Sequence, residues 1–184
     1  MAAPAWYHVC VFASPQLILD RISIPTGARV GDFGSGGGHF ALEIARQRGP
    51  EVTVYALDSL HANLERLAHE SRALQTTFYP IYANLNEHIP LRDNLLSVAI
   101  VANTLFAIEN RKRFIEELSR VVKPQGVILV VDWMGSFGNT GPMDGEIVTP
   151  AEAATLFREQ GFQIGETIPA GTHHFAFAAL CMTP

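Results

Sequence analysis

Val30-Gly31-Asp32-Phe33-Gly34-Ser35-Gly36-Gly37-Gly38 constrains this chain more than any other stretch. An apolar run ends on an acid and enters a turn that is mostly glycine, and a helical pattern follows. About twenty residues later a second apolar run, Val52-Thr53-Val54-Tyr55-Ala56-Leu57-Asp58, ends on another carboxylate. Glycine is wanted where a turn needs unusual dihedrals and where a ligand must approach bare backbone. The helix behind the turn aims its unpaired N–H groups at whatever lies over it. A carboxylate at the end of the second strand can accept both hydroxyls of a ribose. The pair describes a nucleoside site at the carboxyl ends of parallel strands.

The rest of the chain supplies the layers such a site needs. Strands are expected at 28–33, 52–57, 77–82, 97–102 and 127–132. Between them lie helices starting near Gly37 (burying Phe40, Ile44 and Ala45), after Ser59 (Leu60, Leu64, Leu67 and Leu74 on one face) and at Asn110, ending at Lys123-Pro124-Gln125-Gly126. Thr149-Pro150-Ala151-Glu152 opens a further helix with a cap, a proline at the first position and a capping-box glutamate. Residues 162–182 read as two strands joined by a turn. The expected fold is α/β: a doubly wound, Rossmann-like, mostly parallel seven-stranded sheet with an antiparallel last strand and helices on both faces.

With 184 residues, 48% of them hydrophobic and 17% charged, one domain spanning 1–184 is expected, opened by an N-terminal helical segment over 1–27 with aromatic residues Trp6, Tyr7 and Phe12 and a short helix over Pro15 to Ile22. A net charge of -5 argues against a nucleic-acid partner. Cys10 and Cys181 read as buried free thiols. A basic start followed by an apolar core is missing from the N-terminus, and no apolar run is long enough to cross a bilayer. A cytoplasmic protein without membrane insertion is expected.

Four segments in order resemble the class I S-adenosylmethionine-dependent methyltransferases, in particular the small type 11 or quinone-biosynthesis group. Asp32–Gly38 resembles that family's first motif, and Asp58 stands where it places the ribose acid. Ile89-Pro90-Leu91-Arg92-Asp93-Asn94-Leu95-Leu96-Ser97-Val98 resembles its lead into the fourth strand. Arg120-Val121-Val122-Lys123-Pro124-Gln125-Gly126 resembles the turn before its fifth, with Gln125 in place of a glycine. The terminal hairpin is also a family trait. The resemblance implies S-adenosylmethionine as cofactor. Gly34, Ser35, Gly36 and Gly38 would wrap its methionine part, with Asp32 orienting the glycines and His39 at its edge. Asp58 would take the ribose, Ser59 or Leu60 would lie beside the adenine, Asn84 with Leu85 would face the adenine amine, and Asn103 would meet the methionine moiety. Gly36-x-Gly38-x-x-Ala41 also fits a dinucleotide pattern, so an NAD(P)-dependent oxidoreductase is the competing enzyme. A catalytically silent binder of S-adenosylmethionine is the non-enzyme reading.

Less is written about the acceptor. His173 and His174 begin the last strand, one facing each side of the sheet, and an imidazole titrating near neutrality could take a proton. Asp132 and Glu146 are further candidates at the same rim. Residues 133–148 form a glycine-rich loop carrying Trp133, Met134, Phe137 and Met143, suited to an active-site lid. The remaining histidines, His8, His61, His69 and His88, share no metal-ligand spacing, so no metal is expected. A small, apolar or quinone-like acceptor is the expected partner, with oligomeric state open.

Overall fold

The structure is a computed structural model that describes residues 13–137, 141–143 and 145–182. Trp6, Tyr7, His8, Cys10 and Phe12 lie outside the described residues, and so do the first 12 residues of the expected N-terminal segment. Its strands are β1 (Ala28–Phe33), β2 (Val52–Asp58), β3 (Thr77–Tyr82), β4 (Leu96–Ala102), β5 (Val122–Trp133), β6 (Phe162–Thr167) and β7 (His174–Cys181). They form one sheet in the order β3-β2-β1-β4-β5-β7-β6. Neighbours from β3 through β5 pair in parallel. β7 runs antiparallel to both β5 and β6, as the terminal hairpin implies.

Alternation along the strands divides the core in two. Phe33, Leu57, Ala99, Val101, Ile128 and Val130 point to one face. There they meet Phe114, Ile115 and Leu118 of α4 (Arg111–Val121) and Phe157 of α5 (Pro150–Glu159). Val30, Val54, Ala56, Val98, Ile100, Leu129 and Val131 point to the other face. That side is covered by α1 (Pro15–Leu19), α2 (His39–Arg48) and Leu67 of α3 (His61–Glu70). Strands buried on both faces explain the near-continuous apolar runs of β4 and β5. The crossovers reverse between β1 and β4, and the crevice at such a switch point is where this architecture binds ligands.

Three expectations are corrected. The N-terminal helix stops at Leu19 instead of Ile22, its last carbonyls taken up by turn hydrogen bonds from Arg21 and Ile22. Leu60 and Leu74 do not belong to the buried face of α3: Leu60 is the extended N-cap residue, 60% exposed, and Leu74 follows the helix in extended conformation. α4 ends at Val121, and β5 begins at Val122 instead of Val127. Val122 pairs with Leu96, the register shifts, and Val127 pairs with Val98, so Lys123–Gly126 is an irregularity inside the strand.

The two motifs flanking β4 are joined by one side chain. The Arg120 guanidinium donates to the Ile89 and Leu91 carbonyls and to the Asp93 and Glu117 carboxylates at 2.8–2.9 Å. The Arg120 hydrogen bonds hold the Glu117 carboxyl down at about 2. These motifs therefore build scaffold, and the chemistry lies elsewhere. Gln125 stands at φ +62°, a left-handed conformation that costs a non-glycine residue about 1 kcal/mol. Gln125→Gly is expected to raise stability by roughly 0.5–1 kcal/mol, because part of the relief is offset by a freer unfolded chain. A calorimetric melt should show a Tm higher by about 2 °C; a lower one would show that the Gln125 side chain compensates its backbone.

Candidate active site

β1 delivers Asp32 beneath the first turn of α2. Its carboxylate accepts from the Ala41 amide at 3.0 Å, and its side chain is only 2% exposed. Burial pushes its pKa up to about 7; the Ala41 amide opposes that shift, and the nearby Asp58 charge adds to it. The glycine turn then wraps over the strand ends. The Gly34 and Ser35 amides both donate to the Leu57 carbonyl of β2, and the Gly38 amide closes on Ser35 at 2.6 Å. Gly34 takes φ +71°, and a Cβ there would stand 2.5 Å from Thr104 Oγ1. That hydroxyl lies within hydrogen-bond reach of the Phe33 and Ala102 carbonyls, joining the ends of β1 and β4. Gly38 takes φ +74°, and a Cβ there would overlap Leu67 Cδ2.

Asp58 holds this turn from the side. Its two oxygens accept from the Gly36 amide at 2.7 Å, the Leu60 amide at 2.8 Å and Asn63 Nδ2 at 3.2 Å. Arg66, on α3, donates to the Gly36 carbonyl at 3.2 Å. The peptide groups on either side of Gly36 are thus gripped by opposite charges.

Two recesses meet at the switch point, with Gly34 and Asn103 common to both. The larger, of about 420 Å³, is lined by Asp32, Ser35, Gly36 and His39 and by the rings of Phe40, Trp133 and His174. The smaller, of about 180 Å³, is bounded by Asp58, Ser59, Asn84 and Leu85. Asn103 stands at φ +53°, a conformation asparagine tolerates better than most, and its amide donates to Val131. Ser35 Oγ is buried in the larger recess with no partner among the described residues. A cradle of glycines, an orphan hydroxyl and a carboxylate at the far end suit an elongated polar ligand carrying a sugar. The volume falls in the usual range for small-molecule sites.

Several expected residues stand apart. Leu60 bounds neither recess. The Asn84 side chain is engaged in its own turn, accepting from the Asn86 amide and donating to Glu87. Asp132 is 1% exposed and faces away from the cleft. Its oxygens accept from the Leu105 and Trp133 amides at 2.8 Å, fixing the turn after β4, while burial raises its pKa to about 6. Glu146 is exposed and accepts from the Met143 amide. Of the two histidines only His174 belongs to β7 and lines the cleft, its ring 4.2 Å from that of Trp133. Burial, and to a smaller degree the charge of His173, holds its pKa below the usual histidine value. The His173 ring stacks 4.0 Å from Phe137 of the 133–148 loop. Phe40, Arg66 and Thr104 were not legible as site residues. Phe40 reads as core, while Arg66 and Thr104 act on the turn across 30 and 71 residues of sequence.

Among the described residues no group of acids, histidines and cysteines could hold a metal ion, and no helix is long and apolar enough to cross a membrane.

Known proteins resemble this chain in sequence and in fold. A family profile described as a methyltransferase domain matches residues 31–130, over half of the 184-residue chain. The chain is 28% identical over 113 residues to a ubiquinone/menaquinone biosynthesis C-methyltransferase of Cupriavidus pinatubonensis, covering 61% of this chain and 46% of that protein. It is 28% identical over 121 residues to a glycine/sarcosine/dimethylglycine N-methyltransferase of Actinopolyspora halophila, covering 66% of this chain and 21% of that protein. The chain thus spans about half, or less, of the length of these curated relatives. The crystal structure of a SAM dependent methyltransferase from Aquifex aeolicus has the same fold, with a TM-score of 0.83 at 23% identity over 98% of this chain and 94% of that one. With the glycine turn of β1, the acid ending β2 and the reversed last strand all present, the chain belongs to the methyltransferase-domain family of class I S-adenosylmethionine-dependent methyltransferases.

Proposed function

We propose that this protein transfers a methyl group from S-adenosylmethionine to a small, apolar or quinone-like acceptor. The observation that carries the reading is the pair of adjoining recesses at the switch point, Asp58 lining one and the rings of Phe40, Trp133 and His174 lining the other. Gly34, Ser35 and Gly36 would hold the methionine part, with the Asp32 carboxyl facing its amino group. Asp58 would take the ribose. Its carboxylate offers about four lone-pair positions and uses three, and the 3.2 Å bond from Asn63 is the longest of those to exchange for a hydroxyl. Ser59, Asn84 and Leu85 would border the adenine.

S-adenosylmethionine, when bound, supplies an electrophilic methyl on a good leaving group. The chain has to align an acceptor, exclude water and, for a hydroxyl or acidic carbon, accept a proton. Phe40 and Trp133 provide the apolar surface. His174, kept neutral near pH 7 by its lowered pKa, can take the proton on an imidazole nitrogen. Asp132 acts by positioning, since it fixes the Asn103–Leu105 turn without facing the cleft. A lid role for the 133–148 loop belongs to this reading, supported by Trp133 at the cleft and by the Phe137 ring stacked on His173. Among acceptors named by the relatives, the apolar surface of Phe40 and Trp133 supports the quinone type. The setting expected is cytoplasmic.

Calorimetric titration with S-adenosylhomocysteine, with NAD as control, tests the cofactor assignment. Saturable binding of the first alone supports it, and binding of NAD alone would make the protein a redox enzyme. Binding without turnover of any quinol would point to a silent member. With menadiol as probe acceptor, His174→Gln is expected to lower kcat by about 100-fold, with S-adenosylhomocysteine affinity retained. The wild-type rate should fall on acidification only below the ordinary histidine pKa, and the variant should lack that limb. An unchanged kcat and acid limb in the variant would make His174 structural.

A further inference from the structure

Gly34 and Asn103 are the two described residues that line both recesses, so they form the waist between them. Thr104 stands beside this pair, next to Asn103 in the chain and packed where a Gly34 side chain would be. The backbone ladder joining β1 to β4 ends at Phe33 and Val101. Beyond that point the Thr104 hydroxyl carries the tie, 2.9 Å from the Phe33 carbonyl and 3.0 Å from that of Ala102. Its single proton can be donated to either. Thr104 is 5% exposed and is also the N-cap of a short 3-10 helix, Leu105–Ala107. A threonine there ordinarily accepts from an amide of its own helix. Here it makes no such bond. The Leu105 amide goes to Asp132 on β5, and the hydroxyl is left for β1.

That hydroxyl acts on the peptide that opens the glycine turn. The carbonyl of the Phe33–Gly34 peptide faces Thr104, while its N–H donates to the Leu57 carbonyl of β2 at 2.9 Å. The peptide is thereby held from both sides of β1. Glycine would otherwise let it rotate, since both signs of φ are open to it. Asn103 is fixed from the far side by its own amide on Val131 of β5. We propose that Thr104 is a positioning residue for the cofactor: its hydroxyl sets the gap between Gly34 and Asn103, across which a ligand filling both recesses must lie. The inference rests on the reading of those recesses as the S-adenosylmethionine site. It adds a residue outside the glycine motif that keeps the methionine and nucleoside ends of that site in register.

The test compares a ligand that spans the gap with one that does not. S-adenosylhomocysteine and adenosine are titrated into each variant well below its melting temperature, with binding read by ligand-observed NMR and folding by circular dichroism. Thr104→Val keeps the shape of the side chain and removes the hydroxyl, and Thr104→Ser keeps the hydroxyl. The Val variant is expected to bind S-adenosylhomocysteine about tenfold more weakly, the effect of a carbonyl losing its donor, and adenosine less than about threefold more weakly. The Ser variant is expected to stay within about threefold of wild type for both ligands. Where Val does not fold, Thr104→Cys, a weaker donor, is expected to shift the same ratio in the same direction. Unchanged S-adenosylhomocysteine affinity without the hydroxyl would overturn the proposal. So would equal losses for the two ligands, which a general loosening of the fold produces, or a Ser variant as weak as Val. If wild-type protein binds neither ligand, the methyltransferase reading falls, and amide hydrogen exchange scores the strut separately. The Gly34 and Ser35 amides, both bonded to Leu57, should then exchange at least about tenfold faster without the hydroxyl, and unchanged exchange would overturn it.

Discussion

Asp58→Ala is expected to weaken S-adenosylhomocysteine binding by about 30- to 300-fold, the loss of charge-assisted hydrogen bonds to a ribose diol. The structure gives this carboxylate a second task, since it also accepts from the Gly36 and Leu60 amides. Removing it therefore loosens the glycine turn against α3 as well as deleting a ligand contact. Asp58→Asn separates the two effects, because its one carbonyl oxygen can keep a backbone amide while the charge is lost. The expected order of affinity is wild type, then Asn, then Ala, measured by calorimetry on protein whose folding is verified by circular dichroism. Ala and wild type binding equally would remove Asp58 from the cofactor site.

Gly38→Ala is expected to destabilise the protein by about 2–4 kcal/mol. The left-handed backbone at φ +74° costs a residue with a Cβ roughly 1–2 kcal/mol, and the overlap with Leu67 Cδ2 adds an overpacking cost of about 1–3 kcal/mol. For a chain of this length the Tm should fall by about 4–16 °C. A double-mutant cycle with Leu67→Ala divides the two causes. The double variant should recover the steric part, giving a coupling energy of about 1 kcal/mol or more, and leave the dihedral part in place. Additive losses would mean that the turn moves instead of colliding. Both experiments act on one short turn, the first through what it binds and the second through how it is held.

The turn was legible in the sequence because its demands are local. Glycines at 34, 36 and 38 all adopt positive φ, and only a residue without Cβ does so freely. The capping box at Thr149 and Glu152 and the Asn110 cap were readable for the same reason, as both lie within one helical turn of sequence. The mostly parallel sheet with its reversed last strand followed from the alternation of element types and from the terminal hairpin. Leu60 and Leu74 were misplaced because periodicity cannot see where a helix is capped. The Asp58 carboxylate takes the Leu60 amide and stops the helix from extending backward. Likewise the start of β5 depends on pairing of Val122 with Leu96, a long-range ladder that no local pattern announces.

Candidate acids were the least legible. Asp32, Asp58 and Asp132 each end a strand and look alike in sequence, yet Asp32 caps α2, Asp58 grips Gly36, and Asp132 is consumed by the turn after β4. The sequence by itself determined the class of fold and the cofactor turn, because both follow from residue-level dihedral and burial preferences repeated along the chain. Only the tertiary structure decided that His174 and not His173 lines the cleft and that Arg66 clamps the turn. Those outcomes depend on which side chains distant segments bring together, and a chain written in one dimension carries no distance between them.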